Sequence, residues 1–207
     1  MIAEAVRRSP LAHHRDRFVA LSAATHGDIL IRELPYLAQI NLRADPNDGD
    51  LMQRLALTLG LLLPVAPNTV TSQGDRRALW LGPDEWLLVG SDGEVDTLQQ
   101  ALWNGLEGTF GSIVDVSGNR TVLEIGGAKA RELLAHAIPI DLDARSFGSH
   151  HCAQTLLAKA QVMIERRNGS AFHLYLQASF ATYVADWLLD AAGGEEFPDA
   201  FKQKHLD

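Results

Sequence analysis

The sequence predicts an α+β fold, built as two strand–helix–hairpin–helix units with antiparallel sheets and helices on one face. Three features carry that prediction. Two hairpin signals, Gly82-Pro83-Asp84-Glu85 and Asn168-Gly169, each separate a pair of apolar runs. Apolar residues recur at helical spacing in several segments, most clearly Leu51, Leu55, Leu59 and Leu62. The same order of elements appears over 38–106 and again over 121–191. The chain therefore divides into an N-terminal unit with a leading arm (1–110), a second unit (111–194) and a C-terminal tail (195–207).

Residues 1–16 are polar and without periodicity and read as an arm, and Phe18-Val19-Ala20-Leu21 reads as a short strand. Ile29-Leu30-Ile31 opens another strand, Pro35 bends the chain, and Ala38, Ile40 and Leu42 alternate with polar residues as a half-buried strand should. Asp50, with Gln53 three residues on, has the pattern of a helix cap, and Pro64 is expected to end that helix. The 78–89 hairpin follows, then a helix marked by Val95, Leu98, Leu102 and Leu106. In the second unit, Ile113–Val116 and Thr121–Ile125 are strands separated by Ser117-Gly118-Asn119. A helix over 128–137 leads to strands at 153–157, 162–166 and 172–176. Ser179 is a good N-cap for the last helix, which Gly193-Gly194 stops. In the tail, Phe197 and Phe201 stand among charged residues.

Composition limits the function. With 18 basic against 26 acidic residues among 207, the net charge is −8, the pI is about 5.4, and no basic block offers itself to nucleic-acid phosphates. An apolar fraction of 46% is enough for a folded core and excludes a disordered chain. The longest apolar stretch, 61–67, is far short of the ~20 residues that span a bilayer. Arg7-Arg8-Ser9-Pro10 is followed by His13-His14-Arg15-Asp16 and not by the apolar core of a signal peptide. A single cysteine, Cys152, cannot form an internal disulfide and suits a reducing compartment. A cytoplasmic protein is expected, with no membrane and no nucleic-acid partner.

Several groups of residues invite a chemical reading. His150-His151-Cys152, with His13-His14 as possible partners, has the side-chain types that bind zinc. Neighbours entering a strand diverge to opposite faces, however, so the triplet reads as loop histidines beside a buried small cysteine. Gly126-Gly127-Ala128-Lys129 joins a strand to a helix, where backbone N–H groups can cradle phosphate. Its spacing matches neither established phosphate loop, and the glycines read as a tight turn. Asp84-Glu85 and Asp141-Asp143 pair carboxylates in turns, where ordinary acidity is expected. Trp80, Trp86, Trp103 and Trp187 lie on apolar stripes and read as core or interface. No catalytic, cofactor-binding or metal-ligating residue is assigned.

The run from Val114-Asp115-Val116-Ser117 to Gly126-Gly127-Ala128-Lys129-Ala130 resembles the opening of the folate-binding aminomethyltransferase fold, which shows D-V-S, a short strand and G-x-x-A leading a helix. Asp141-Leu142, Thr155-Leu156, Asn168-Gly169, Tyr175 and Trp187-Leu188 follow in the family's order. Arg8-Ser9-Pro10-Leu11, the run 81–88 and Cys152-Ala153-Gln154-Thr155-Leu156-Leu157 narrow the resemblance to the gamma subunits of heterotetrameric sarcosine oxidases, over residues 7–192. That resemblance implies an accessory assembly subunit with alpha, beta and delta partners. The complex oxidises sarcosine with O₂ to glycine and hydrogen peroxide and yields methylenetetrahydrofolate when tetrahydrofolate is present. It also implies FAD and FMN on beta, NAD and a folate domain on alpha, zinc on delta, and no cofactor in this chain. The alternative is a stand-alone folate-binding protein of the aminomethyltransferase type. Those enzymes place an aspartate in the loop after the Thr-Leu strand, whereas here Ala158-Lys159-Ala160-Gln161-Val162 carries no carboxylate before Glu165.

Overall fold

Among the described residues, ten strands form two five-stranded sheets in which every pairing is antiparallel. The structure is a computed structural model and describes residues 7–167 and 169–193. The first sheet runs in the order β3 (Val70–Gln73), β4 (Arg76–Gly82), β5 (Glu85–Gly90), β2 (Ala38–Ala44), β6 (Gly111–Asp115). The second runs β1 (Leu30–Leu34), β7 (Arg120–Gly126), β10 (Phe172–Gln177), β9 (Ala160–Arg166), β8 (Cys152–Leu157).

Each sheet carries its helices on one face and turns the other toward its partner sheet. Ile40, Leu42, Trp86 and Leu88 of the first sheet pack under α2 (Gly49–Leu59) and α3 (Val95–Leu106). Leu123, Ile125, Ile164, Phe172 and Leu174 of the second pack under α1 (Arg15–Ala24), α4 (Ala130–Ala135) and α5 (Ala181–Ala192). Between the sheets lies a third core, in which Val70, Leu79, Leu87 and Val89 meet Val122, Cys152, Met163 and Tyr175. The architecture is therefore four layers, α/β/β/α. With both faces covered, β5 and β10 are buried almost throughout, which is why they read as continuous apolar runs.

The two predicted hairpins form, β4–β5 and β9–β10. Gly169 takes the left-handed conformation that the second turn requires, while Asn168 lies outside the described residues. Other expectations are corrected. Residues 12–14 form a 3-10 turn and 15–24 a helix, so part of the expected arm is folded and Phe18–Leu21 is no strand. Leu11, His14, Phe18 and Leu21 are all buried at alternating spacings of three and four, a helical stripe that the polar His14 conceals. The first long helix begins earlier than expected: Asp48 caps it by accepting the Leu51 N–H at 2.9 Å. It ends at Gly60, in the left-handed conformation, and not at Pro64, so Leu62 falls beyond it and is 70% exposed. Ser179 sits inside a 3-10 turn, and the helix after it starts at Ala181 without a side-chain cap.

The sheets also do not divide the chain at residue 110. β1, within the 1–110 unit that the sequence predicts, pairs with β7 in the second sheet, and β6, within 111–194, pairs with β2 in the first. The D-V-S motif lies where the chain leaves β6 for β7. Asp115 accepts the Ser117 N–H (2.9 Å) and hydroxyl (2.6 Å), and Ser117 Oγ accepts the Gln39 N–H at 2.9 Å. The turn between the sheets is thereby fastened to β2.

One ion pair crosses the interior between the sheets. Arg77 of β4 meets Glu165 of β9 at 2.7 Å, with side-chain exposures of 10% and 1%. Glu165→Gln keeps the shape and removes the counter-charge, leaving a buried guanidinium without its partner. It should cost about 3–5 kcal/mol in urea unfolding, whereas Arg77→Met/Glu165→Leu should recover most of that loss.

Candidate functional site

Cross-strand register, not sequence proximity, collects this protein's titratable groups. Across the second sheet, Arg32 stands opposite Glu124, Glu124 opposite His173, His173 opposite Glu165 and Glu165 opposite Cys152. Five strands thus contribute one row on the face that meets the first sheet. Arg32 bonds Glu124 at 2.8 Å, His173 Nε2 lies 3.3 Å from Glu124, and the Tyr175 hydroxyl donates to Glu165 at 2.7 Å. Arg77 approaches from the opposite sheet, and Arg167 adds a second contact to Glu165 at 3.3 Å.

Burial sets the acidity of these groups. It pushes Glu165 above the ordinary carboxylate range, opposed by Arg77 and by the Tyr175 hydrogen bond. It drives the Tyr175 hydroxyl well above the ordinary phenol range, with Glu165 adding to the effect. It holds His173 below the ordinary imidazole range against the pull of Glu124. The Cys152 thiol is pushed up to about 12 by burial and by Glu165. Glu165, the first carboxylate after the Thr-Leu strand, is therefore consumed in an internal ion pair and does not face solvent as a base.

The His150-His151-Cys152 triplet does not converge. Cys152 faces the inter-sheet core, with its sulfur 3.6 Å from the carbonyls of Thr69 and Trp80. His150 is exposed, and His151 contacts the Gly148 carbonyl at 3.2 Å. His14 lies in the helical layer instead, 3.0 Å from Asp186. No group of three or more metal-binding side chains occurs among the described residues. The backbone of the triplet does join the two sheets: Val70 N–H bonds His150, Cys152 N–H bonds Asn68, and Thr69 bridges His151.

Gly126-Gly127 forms the tight turn expected of it. Gly127 has φ +100°, and a Cβ there would collide with the backbone of Asp28, whose carbonyl accepts the Lys129 N–H at 2.9 Å. Chain therefore fills the space that a phosphate would need. Asp141 and Asp143 are more acidic than expected. The Ser146 hydroxyl lowers the first, and Arg145 lowers the second. Of the tryptophans, Trp86 is fully buried and donates to the Pro64 carbonyl at 2.7 Å, while Trp103 is exposed. The inter-sheet ion row leaves little trace in the sequence. Glu124, Glu165 and His173 interrupt apolar strands, which was its one visible signal.

Two outcomes follow. Because His173 is held below its unperturbed value of 6.5, the folded chain takes up that proton less readily than the unfolded chain. Its contribution to stability is complete above about pH 6.5 and falls as the pH drops further, by up to about 1.4 kcal/mol per pH unit. His173→Gln should flatten unfolding midpoints measured from pH 7.5 to 5. A thiol-specific chromogenic reagent at pH 8 should react with Cys152 at least tenfold more slowly in the native chain than in urea, because the buried thiol stays protonated.

A family model described as the sarcosine oxidase, gamma subunit family matches residues 43–194. The curated sarcosine oxidase subunit gamma of Corynebacterium sp. strain U-96 is 36% identical over 189 residues, covering 90% of both chains. That of an Arthrobacter species is 33% identical over 187 residues with the same coverage. A chain of the solved heterotetrameric sarcosine oxidase from Corynebacterium sp. U-96 matches with a TM-score of 0.80 at 35% identity, over 92% of this chain and 96% of that one. Aminomethyltransferase T of the glycine cleavage system from Bartonella henselae shares the fold, with a TM-score of 0.64 at 14% identity over 89% of this chain and 57% of that one. Related over nine-tenths of its length to curated gamma subunits, with the same arrangement of strands and helices, this chain belongs to the sarcosine oxidase gamma subunit family.

Proposed function

We propose that this chain is the accessory gamma subunit of a cytoplasmic heterotetrameric sarcosine oxidase, and that its task is assembly with the alpha, beta and delta subunits. The complex would oxidise sarcosine with O₂ to glycine and hydrogen peroxide, giving methylenetetrahydrofolate when tetrahydrofolate is present. FAD, FMN, NAD and zinc, and the folate chemistry, would belong to the other subunits. The kinship with curated gamma subunits supports the complex.

The observation that supports an assembly role is where the apolar surface lies. Leu57 (75% exposed), Leu62 and Val65 surround a groove of about 860 Å³ between the end of α2 and the segment after it. Phe110, 95% exposed, and Trp103 stand out elsewhere on the same sheet's helical side and its connections. Large apolar side chains in such positions are costly on a free monomer and suit a permanent interface. The ionisable groups brought together by the fold are meanwhile committed to the inter-sheet row. No helix among the described residues is long and apolar enough to cross a membrane. The tail residues Phe197 and Phe201 lie outside the described residues.

Leu57→Asp/Leu62→Asp changes surface side chains only, so the chain should fold. On co-expression with alpha, beta and delta it should reduce recovered heterotetramer at least tenfold, while sarcosine turnover per mole of flavin in the remaining complex stays within about twofold. A complex that forms and turns over normally without this chain would refute the assembly role. Methylene transfer to tetrahydrofolate by the isolated chain would favour the stand-alone alternative.

A further inference from the structure

One end of the second sheet's inter-sheet face is polar where the rest is apolar or ion-paired, and it lines a cavity. Arg120 begins β7 opposite Gln177 at the end of β10. Gln161 lies on β9 two residues before Met163 and so on the same face, and Gln154 on β8 stands opposite Met163. The four side chains line a cavity of about 460 Å³, with Leu81 of the first sheet on its rim. Gln154 Nε2 donates to the Leu81 carbonyl at 2.8 Å and fixes that side.

Arg120 is the one permanently charged residue lining this cavity. Its Nη1 is buried and has no hydrogen-bond partner among the described residues. The carboxylate that acts on it through space, Glu85, is already bonded to Arg43 at 2.6 Å and to Asn41 at 2.7 Å. Tyr175, on the cavity floor, donates its hydroxyl to Glu165. A guanidinium is thus held half-buried in a chain of net charge −8, with no acid among the described residues in contact with it. Burying a charged donor without a partner is costly, and every other buried cation described above is paired.

We propose that this cavity binds a carboxylate, with the anion on Arg120 and the neutral polar body of the ligand among Gln154, Gln161 and Gln177. The planar guanidinium fork matches a carboxylate in two parallel hydrogen bonds. Three primary amides each offer donors and acceptors, which suits amide or hydroxyl groups beyond the anion. A single cation selects a monoanion and gives a phosphate dianion little support. The volume lies within the range of small-molecule sites. The carboxylate comes either from a free small acid or from an aspartate or glutamate that a partner subunit inserts. The site belongs to this chain's own cavity and does not depend on the assembly role.

The test uses the full chain with whichever subunits accompany it on co-expression, and N-acetylglycine as probe, with N-acetylglycinamide as the uncharged control. Millimolar N-acetylglycine should raise the melting temperature by at least 2 °C, the amide should not, and Arg120→Gln should abolish the shift. A crystal or cryo-electron microscopy structure should show the probe's carboxylate on Arg120. If a partner's acid occupies the cavity, the melting shift will be absent but the map will show that side chain on Arg120, which supports the same site. Should Arg120→Gln fail to fold, Arg120→Lys keeps the charge without the fork and should weaken the shift, and Gln161→Ala should weaken it several-fold. No carboxylate on Arg120 from either source, together with equal melting shifts for acid and amide, overturns the proposal.

Discussion

The contact between Arg77 and Glu165 is the constraint around which the interior is arranged. Two sheets whose outer faces already carry helices can meet only through their remaining faces, and this ion pair sits between them. Neither partner is tolerable there alone, so the strands that carry them, β4 and β9, must come to a fixed relative position. Tyr175 supplies a further hydrogen bond to the same carboxylate, and His173 and Cys152 flank it in register. A one-residue slip of β9 would turn Glu165 into the helical layer and Ile164 into the ion row. The pair therefore specifies both the register within the second sheet and the docking of the first.

The same constraint explains why residues of catalytic type are quiet here. A glutamate, a histidine, a tyrosine and a thiol lie side by side, a set from which acid–base chemistry could be built. Burial instead holds the thiol and phenol protonated and, against the pull of Glu124, favours the neutral imidazole. The row serves as structure here, while exposed apolar side chains such as Leu57, Leu62 and Val65 lie on and beside the helical layer of the first sheet.

Several motifs that look chemical in the letters prove to be joints. Asp115-Val116-Ser117 fastens the crossing from one sheet to the other. Gly126-Gly127 lets the chain pass against Asp28, where no side chain fits. His150-His151-Cys152 joins the sheet edges through its backbone, with His150 at φ +68°. In a fold with four layers and two sheet crossings, turns carry much of the positional information, and short polar motifs concentrate there.

By itself the sequence determined the α+β class, both hairpins, the stripes of α2 and α3 and the family, because hydrophobic period and turn chemistry are local properties. Leu51, Leu55 and Leu59 face the core as their spacing requires, and Gly82-Pro83 and Gly169 fall where the hairpins turn. The N-terminal helix escaped because His14, buried against Asp186, breaks an apolar stripe that only the folded contact restores. Which sheet β1 and β6 join, the row from Arg32 to Cys152, and the meeting of Arg77 with Glu165 were decided by tertiary structure alone. The pairings of β1 with β7, β7 with β10 and β2 with β6 join residues 47 to 96 apart, Arg77 meets Glu165 across 88 residues of chain, and no local pattern encodes such partners. Arg120 is the same case: an ordinary strand-opening arginine in the letters becomes a half-buried cation only where two sheets leave a cavity between them.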